Sequence, residues 1–181
     1  SLSNISLGSA FNKTSQALAD LPHCADITRH CCSKFCGILV VDGKFVKVLG
    51  YEKKIPVIYG IDYLTHDIPT YKLVPSENYQ ACLAFFTALR LLNYPLQALV
   101  CDDNPNIRDA CLEIYPNAVV QLCQNHFKEN IRKLLSVRTN PTYQPFMHDI
   151  EILFYGKRSE DDFNRVAKNI LNKYKNDPIC L

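Results

Sequence analysis

The sequence holds no apolar run long enough to cross a bilayer, and it opens without a charged-then-apolar leader. A membrane-spanning or secreted chain is therefore not expected, and the cytoplasm is the expected location. Net charge is also scarce: 20 Lys and Arg against 18 Asp and Glu leave +2. Composition alone gives no argument for a nucleic-acid partner. Internal repeats and low-complexity segments are missing too, so the chain reads as ordinary globular sequence. The opening Ser1 in place of methionine suggests a trimmed chain.

What is present is a composition 48% hydrophobic and 10% aromatic over 181 residues, enough for one sizeable core with appendages. The nine cysteines are an odd and high number. Several (Cys82, Cys101, Cys111) lie inside apolar runs, where a free thiol packs as a small hydrophobe, so free thiols in a reducing compartment are expected. The segment His23-Cys24, His30-Cys31-Cys32 and Cys36 contains zinc-ligand residue types. It contains no paired Cys-x-x-Cys or His-x-x-x-His spacing, and surface and linker residues are the expected reading.

The chain is organised around Gly37-Ile-Leu-Val-Val-Asp42-Gly-Lys44, an apolar run that ends in a carboxylate and a glycine. Such a run reads as a strand buried on both faces. Asp42, at its end, would then need a partner, since an unpaired buried charge is costly. Phe45–Leu49 continues this strand or forms a hairpin with it. Val57–Tyr63 and Ile68–Val74 read as two more strands joined by short polar turns, which makes an antiparallel meander. Pro75-Ser76-Glu77-Asn78 supplies helix-start residues, and Tyr79, Cys82, Leu83, Phe86 and Leu89 follow at helical spacing. Leu96–Cys101 is a fourth strand that delivers Asp102-Asp103, and Asn104-Pro105 opens a helix through Tyr115. Ala118–Leu122 is a fifth strand, Cys123–Leu135 a helix, and only helical patterns follow Asn140-Pro141. Residues 1–35 are expected as an N-terminal helical and linker segment, 36–138 as the core, and 139–181 as a separate helical segment.

The order β-β-β-α-β-α-β-α predicts a mixed five-stranded sheet flanked by helices, an α/β arrangement also used by the ribonuclease H-like nuclease fold. In that topology the first and fourth strands are neighbours, so Asp42 and Asp102 would share one space. Two carboxylates brought together need a cation, and oxygen ligands favour Mg²⁺ or Mn²⁺. A turn and helix cap at Asp102-Asp103-Asn104-Pro105 is the plainer alternative.

Val100-Cys-Asp102-Asp-Asn-Pro-Asn-Ile107, Tyr115-Pro116-Asn-Ala118 and Gln121-Leu-Cys123-Gln-Asn-His126 together resemble the DDE transposases of bacterial insertion sequences and their Mutator-like relatives. Val41-Asp42-Gly43, Gly60-Ile-Asp62 and Pro75-Ser-Glu77-Asn78 match the same pattern, and Ser3–Leu21 resembles the end of the helix-turn-helix region such proteins carry in front. The resemblance covers roughly residues 35–175. It implies a ribonuclease H-like domain that uses Mg²⁺ (or Mn²⁺) to cut transposon-end DNA and join it to target DNA, with self-association of the whole protein. It implies Asp42 and Asp102 as catalytic, metal-holding acids, and puts Cys123 and His126 at the family's Cys-x-x-His positions. Asp103 falls where the family commonly has glycine and is expected to be a bystander. The family's third acid, a Glu, follows an all-helical insertion. Residues 141–175 resemble the start of that insertion, so this Glu is expected beyond Leu181 and the chain alone would be inactive or weak. Glu129 is the in-chain stand-in. Lys128, Arg132, Lys133 and Arg138 form a basic helical face that could meet phosphate. Two rivals stay open: a repair or resolving nuclease of the same fold with its third acid in this chain, and a non-enzymatic zinc and DNA-binding module built on residues 23–36.

Overall fold

The computed structural model describes residues 7–50 and 52–177. The first six residues, which include the start of the segment likened to a helix-turn-helix, lie outside the described residues. The chain divides after Gln121 into two compact units.

The first unit opens with two helices, α1 (Leu7–Ala19) and α2 (Cys24–Cys31). α1 falls in the segment expected as helical and linker, while α2 is helical where surface and linker residues were expected; Thr28 of α2 is buried, its hydroxyl donating to the Pro69 carbonyl at 2.6 Å. The strands β1 (Ile38–Val46), β2 (Ile55–Asp62), β3 (Tyr71–Leu73), β4 (Ala98–Cys101) and β5 (Val119–Leu122) form one sheet in the order β3-β2-β1-β4-β5. β1 and β2 pair antiparallel, as do β2 and β3, whereas β1 and β4 are parallel. This is the mixed five-stranded sheet expected from the sequence, an α/β arrangement consistent with the ribonuclease H-like fold. β3 is shorter than the sequence suggested, because its flank Ile68-Pro69-Thr70 is irregular and only three residues keep the ladder.

Two helices follow the meander. α3 (Tyr79–Leu91) starts where the Asn78 side chain accepts from the Ala81 amide at 3.0 Å. α4 (Pro105–Ile114) starts where Asn104 accepts from the Asn106 amide at 3.0 Å, with Pro105 in the first turn, where its missing N–H is not needed. Cys82, Phe85, Phe86 and Leu89 of α3 and Ile107, Ala110 and Cys111 of α4 meet Leu39, Val41, Ile58, Leu99 and Cys101 of the sheet in one core.

β1 is not buried on both faces as its sequence suggested. Its alternate residues Leu39 and Val41 are sealed at 0% and 1% exposure, while Ile38, Val40 and Asp42 on the other face are only half-buried. The core of α3 and α4 lies against the first face, and the period-two alternation of a strand puts Asp42 on the second. The fully buried carboxylate is instead Asp62, at the end of β2. It accepts from Tyr94 Oη at 2.6 Å, from the Cys36 amide at 3.0 Å, and from the Leu64 and Thr65 amides at 3.1 Å each. Burial pushes the Asp62 pKa up, but these bonds outweigh it and hold the carboxyl below its ordinary range.

The second unit is helical. It contains α5 (Gln124–Leu134), α6 (Gln144–Leu153) and α7 (Glu160–Tyr174). Met147, Ile150, Leu153 and Ile170 form its core, with Ile131, Phe146, Phe154, Phe163 and Tyr174 packed around them. No helix among the described residues is long and apolar enough to cross a membrane.

Candidate functional site

The parallel pairing of β1 and β4 matches Ile38 with Ala98, Leu39 with Leu99 and Val40 with Val100. Carried two residues further, the same register brings Asp42 level with Asp102, which follows β4 directly. Neighbouring strands run about 4.8 Å apart, and equal parity sends both side chains to the same face. Val40 and Val100 pair, and each of the two acids read from the sequence lies two residues beyond that pair. Both are half-buried, whereas Asp103 is exposed.

A third carboxylate joins them. Glu77 precedes the Asn78 cap of α3, and its Oε1 accepts from Asn104 Nδ2 at 3.2 Å. Asn104 thus caps α4 with its oxygen and holds Glu77 with its nitrogen. Two helix N-termini meet here, and their unpaired amides and macrodipoles favour negative charge. Gly43, next to Asp42, makes the approach possible: a Cβ at that position would lie 2.6 Å from the Glu77 carboxyl carbon. Any larger residue would push the carboxylate away.

The electrostatics agree with this placement. Burial raises the Glu77 pKa, the charges of Asp102 and Asp42 raise it further, and the Asn104 bond works against them. The thiol of Cys82, buried one turn into α3, is pushed up to about 11 by burial and by the charges of Glu77 and Asp102. Asp102 Oδ1 is fully buried and accepts no hydrogen bond among the described residues. Such an orphaned oxygen is costly without a donor or cation.

The residues fit a hard divalent cation in donor type, since all are oxygen ligands. Among the described residues no three His, Cys, Asp or Glu side chains already form a ready ligand set.

Cys123, His126 and the basic helical residues lie in the second unit. Cys123 is the N-cap residue of α5 but makes no side-chain cap bond, and its carbonyl accepts from the Phe127 amide at 3.0 Å. His126, in the first turn, is half-buried. On the basic face, Arg132 pairs with Glu151 at 2.5 Å and with Glu129 at 3.6 Å. Arg138, 84% exposed, reaches Glu129 at 3.5 Å. Lys133 is exposed and Lys128 half-buried. Glu129, the stand-in third acid, is thus engaged by two arginines. In the 23–36 segment Cys24, Cys31 and Cys36 are free thiols, and Cys36 Sγ lies 3.5 Å from Asp62 Oδ2.

Sequence reasoning gave Glu77 no role beyond opening a helix and matching a family string. A signal was available: an acid immediately before a cap residue sits at a helix N-terminus. What the sequence did not contain was that α3 and α4 start side by side. No protein-family model matches the chain, and no curated protein compared with it matches either.

Proposed function

We propose that the first unit is the catalytic core of a DDE-type DNA transposase, acting with Mg²⁺ or Mn²⁺ on transposon-end and target DNA. The observation that supports this reading is the β1–β4 register, which pairs Val40 with Val100, each two residues before one of the acids. Asp42 and Asp102 would hold the cation, and the buried Asp102 Oδ1 is the group most in need of it. When bound, a divalent ion supplies Lewis-acid activation of an attacking oxygen and charge stabilisation at a phosphodiester. The chain's own contribution is rigidity. Asp42 is fixed on β1, where it pairs with Tyr59 of β2, and Asp102 precedes the capped start of α4, so neither carboxylate has to be ordered when DNA arrives. Exposed Lys133, with Lys128, would add phosphate contacts whose strength falls with salt. Self-association of the whole protein belongs to the same reading.

One observation favours a second reading, a self-contained nuclease of the same fold: a third carboxylate, Glu77, already lies within this chain beside the other two.

The test is Mn²⁺ titration calorimetry on the 181-residue chain, followed by nicking of supercoiled plasmid. Saturable Mn²⁺ binding that is lost in Asp102→Asn and Asp42→Asn supports a cation site. Binding that survives both substitutions overturns it. Plasmid nicking that needs Glu77 as well as the two aspartates would favour the nuclease over the transposase.

A further inference from the structure

The turn that ends α5 gathers side chains that the acids of the first unit do not involve. We propose that the cleft at this turn, lined by Glu129, Arg132, Lys133, Ser136, Arg138 and Thr139, binds one backbone phosphate of a DNA duplex. DNA as the source of that phosphate rests on the proposed transposase reading, whereas the cleft itself is a feature of the second unit alone.

The local sequence builds the cleft. Arg132 and Lys133 stand in the last turn of α5, where cations suit the helix dipole. Ser136, at a φ of 50°, then reverses the chain. Its amide returns to the Lys133 carbonyl at 3.1 Å, and the Val137 amide to the Arg132 carbonyl at 3.0 Å. These bonds occupy two of the helix-end carbonyls that would otherwise repel an anion. The Asn140 and Thr139 amides bond the Ser136 carbonyl at 2.8 and 2.9 Å, which brings Arg138 back toward Glu129. The cleft measures about 190 Å³. A site for a drug-sized molecule takes roughly 300–1,000 Å³, so this one suits a small group.

Its chemistry selects an anion. Three cations line the cleft with one carboxylate, and they still outnumber the acids when Glu151, which Arg132 holds at 2.5 Å, is included. Glu129 reaches Arg132 at 3.6 Å and Arg138 at 3.5 Å. A strong charge-assisted bond is about 2.7–2.9 Å, so Glu129 spaces the two guanidiniums without consuming their five donors each. Two arginine forks, a lysine point charge and the Ser136 hydroxyl together form a donor set for phosphate oxygens.

Fluorescence anisotropy of a labelled DNA duplex, titrated with the full 181-residue chain, separates a cleft from a diffuse basic surface. Arg138→Lys keeps the charge and loses the fork, and Ser136→Gly removes the hydroxyl at a φ that glycine adopts freely. Each should weaken duplex binding by about tenfold, the lower end for a hydrogen bond to a charged group. Unchanged melting temperatures in both variants would show that a contact, not the fold, was lost. Lys168→Gln removes a whole charge from the exposed side of α7, outside the cleft, and should weaken binding less than either. Inorganic phosphate should displace the duplex better than sodium chloride of equal ionic strength. Arg138→Lys binding the duplex as the unsubstituted chain does overturns the cleft and leaves only unspecific attraction. Inorganic phosphate that raises the melting temperature of a chain that binds no duplex overturns DNA as the occupant. A chain that responds to neither overturns the proposal outright. Mn²⁺ titration reads Asp42 and Asp102 separately, so the cation site and the cleft can each fail while the other stands.

Discussion

The two units bury their apolar residues to different depths. In the first, Leu39, Ile58, Phe85, Phe86, Leu89, Leu99 and Ile107 are all at 0% exposure. In the second, the core residues Met147, Ile150, Leu153 and Ile170 keep 4–9%. Their polar ties differ in kind as well. The first unit anchors a sealed carboxylate, Asp62, with neutral donors from Tyr94, Cys36, Leu64 and Thr65. The second ties its helices with ion pairs on half-exposed surface, such as Arg132–Glu151 and Lys173–Asp149 at 2.6 Å. A sheet covered on one face by two helices makes a deep core because β1, β2 and β4 each contribute residues of one parity to it. Three short helices can offer only one stripe each. Asp42, Glu77 and Asp102 all lie in the first unit.

The largest effect that could break this contrast is a large-to-small change in each core. Phe86→Ala in the first unit should cost about 3–5 kcal/mol, and Ile150→Ala in the second about 2 kcal/mol, at the low end for such deletions, because its shallower site can collapse or admit water. Amide hydrogen exchange resolved by peptide gives the readout. Phe86→Ala should lower protection in β1, β4, α3 and α4, and Ile150→Ala in α6 and α7. Equal costs in the two units would show that burial depth does not set their stability.

A smaller effect separates the two kinds of anchor by pH and salt. Asp62 is held below its ordinary range by hydrogen bonds that outweigh burial. Asp149 is lowered chiefly by its bond from Lys173, against burial and with help from Tyr174. A depressed carboxyl pKa contributes stability that is complete above the unfolded value, about 3.9, and is lost as pH falls through the folded one. Both units should therefore lose stability below about pH 4, and Asp62→Asn and Asp149→Asn should flatten that loss in their own unit. Salt tells them apart. Screening at 1 M NaCl should weaken the Asp149 contribution, whose partner is an exposed ammonium, and leave that of Asp62, whose donors are neutral and buried. Melting curves at pH 3–6 with and without salt would check it.

The sequence was most legible where a local pattern fixes the outcome. The apolar run at Ile38–Val41, the stripe of Cys82, Phe86 and Leu89, and the caps Asn78 and Asn104 all fold as their residue types require. That β1 and β4 are neighbours was legible from the strand order alone. Asp62 was not, since its donors come from Cys36, Leu64, Thr65 and Tyr94, which no periodicity links. Glu77 was half legible: its place before a helix cap could be read, but the adjacency of the two helix starts exists only in the folded chain. The burial of β1 was overestimated because an apolar run does not say how many faces are covered, and Val40 and Ile38 are branched residues that a half-exposed strand also favours.

The smallest expected effect concerns Arg132, and it decides what the basic helix is for. Its side chain is 30% exposed and pairs with Glu151, itself 46% exposed. Exposed pairs of this kind contribute about 0–1 kcal/mol, because two long side chains are ordered for a Coulomb gain that water and salt weaken. A double-mutant cycle on Arg132→Met and Glu151→Gln, read by urea unfolding, should give a coupling of about 0.5 kcal/mol, near the middle of that range. A weak pair leaves the guanidinium free to exchange a carboxylate for a phosphate at little cost. Binding of duplex DNA should then fall in Arg132→Met and in Lys133→Ala alike, with a shallower salt dependence in each. A coupling above about 2 kcal/mol would instead assign Arg132 to holding α5 against α6. Phosphate contact would then rest on Lys128, Lys133 and Arg138, and of these Lys133 and Arg138 are the more exposed.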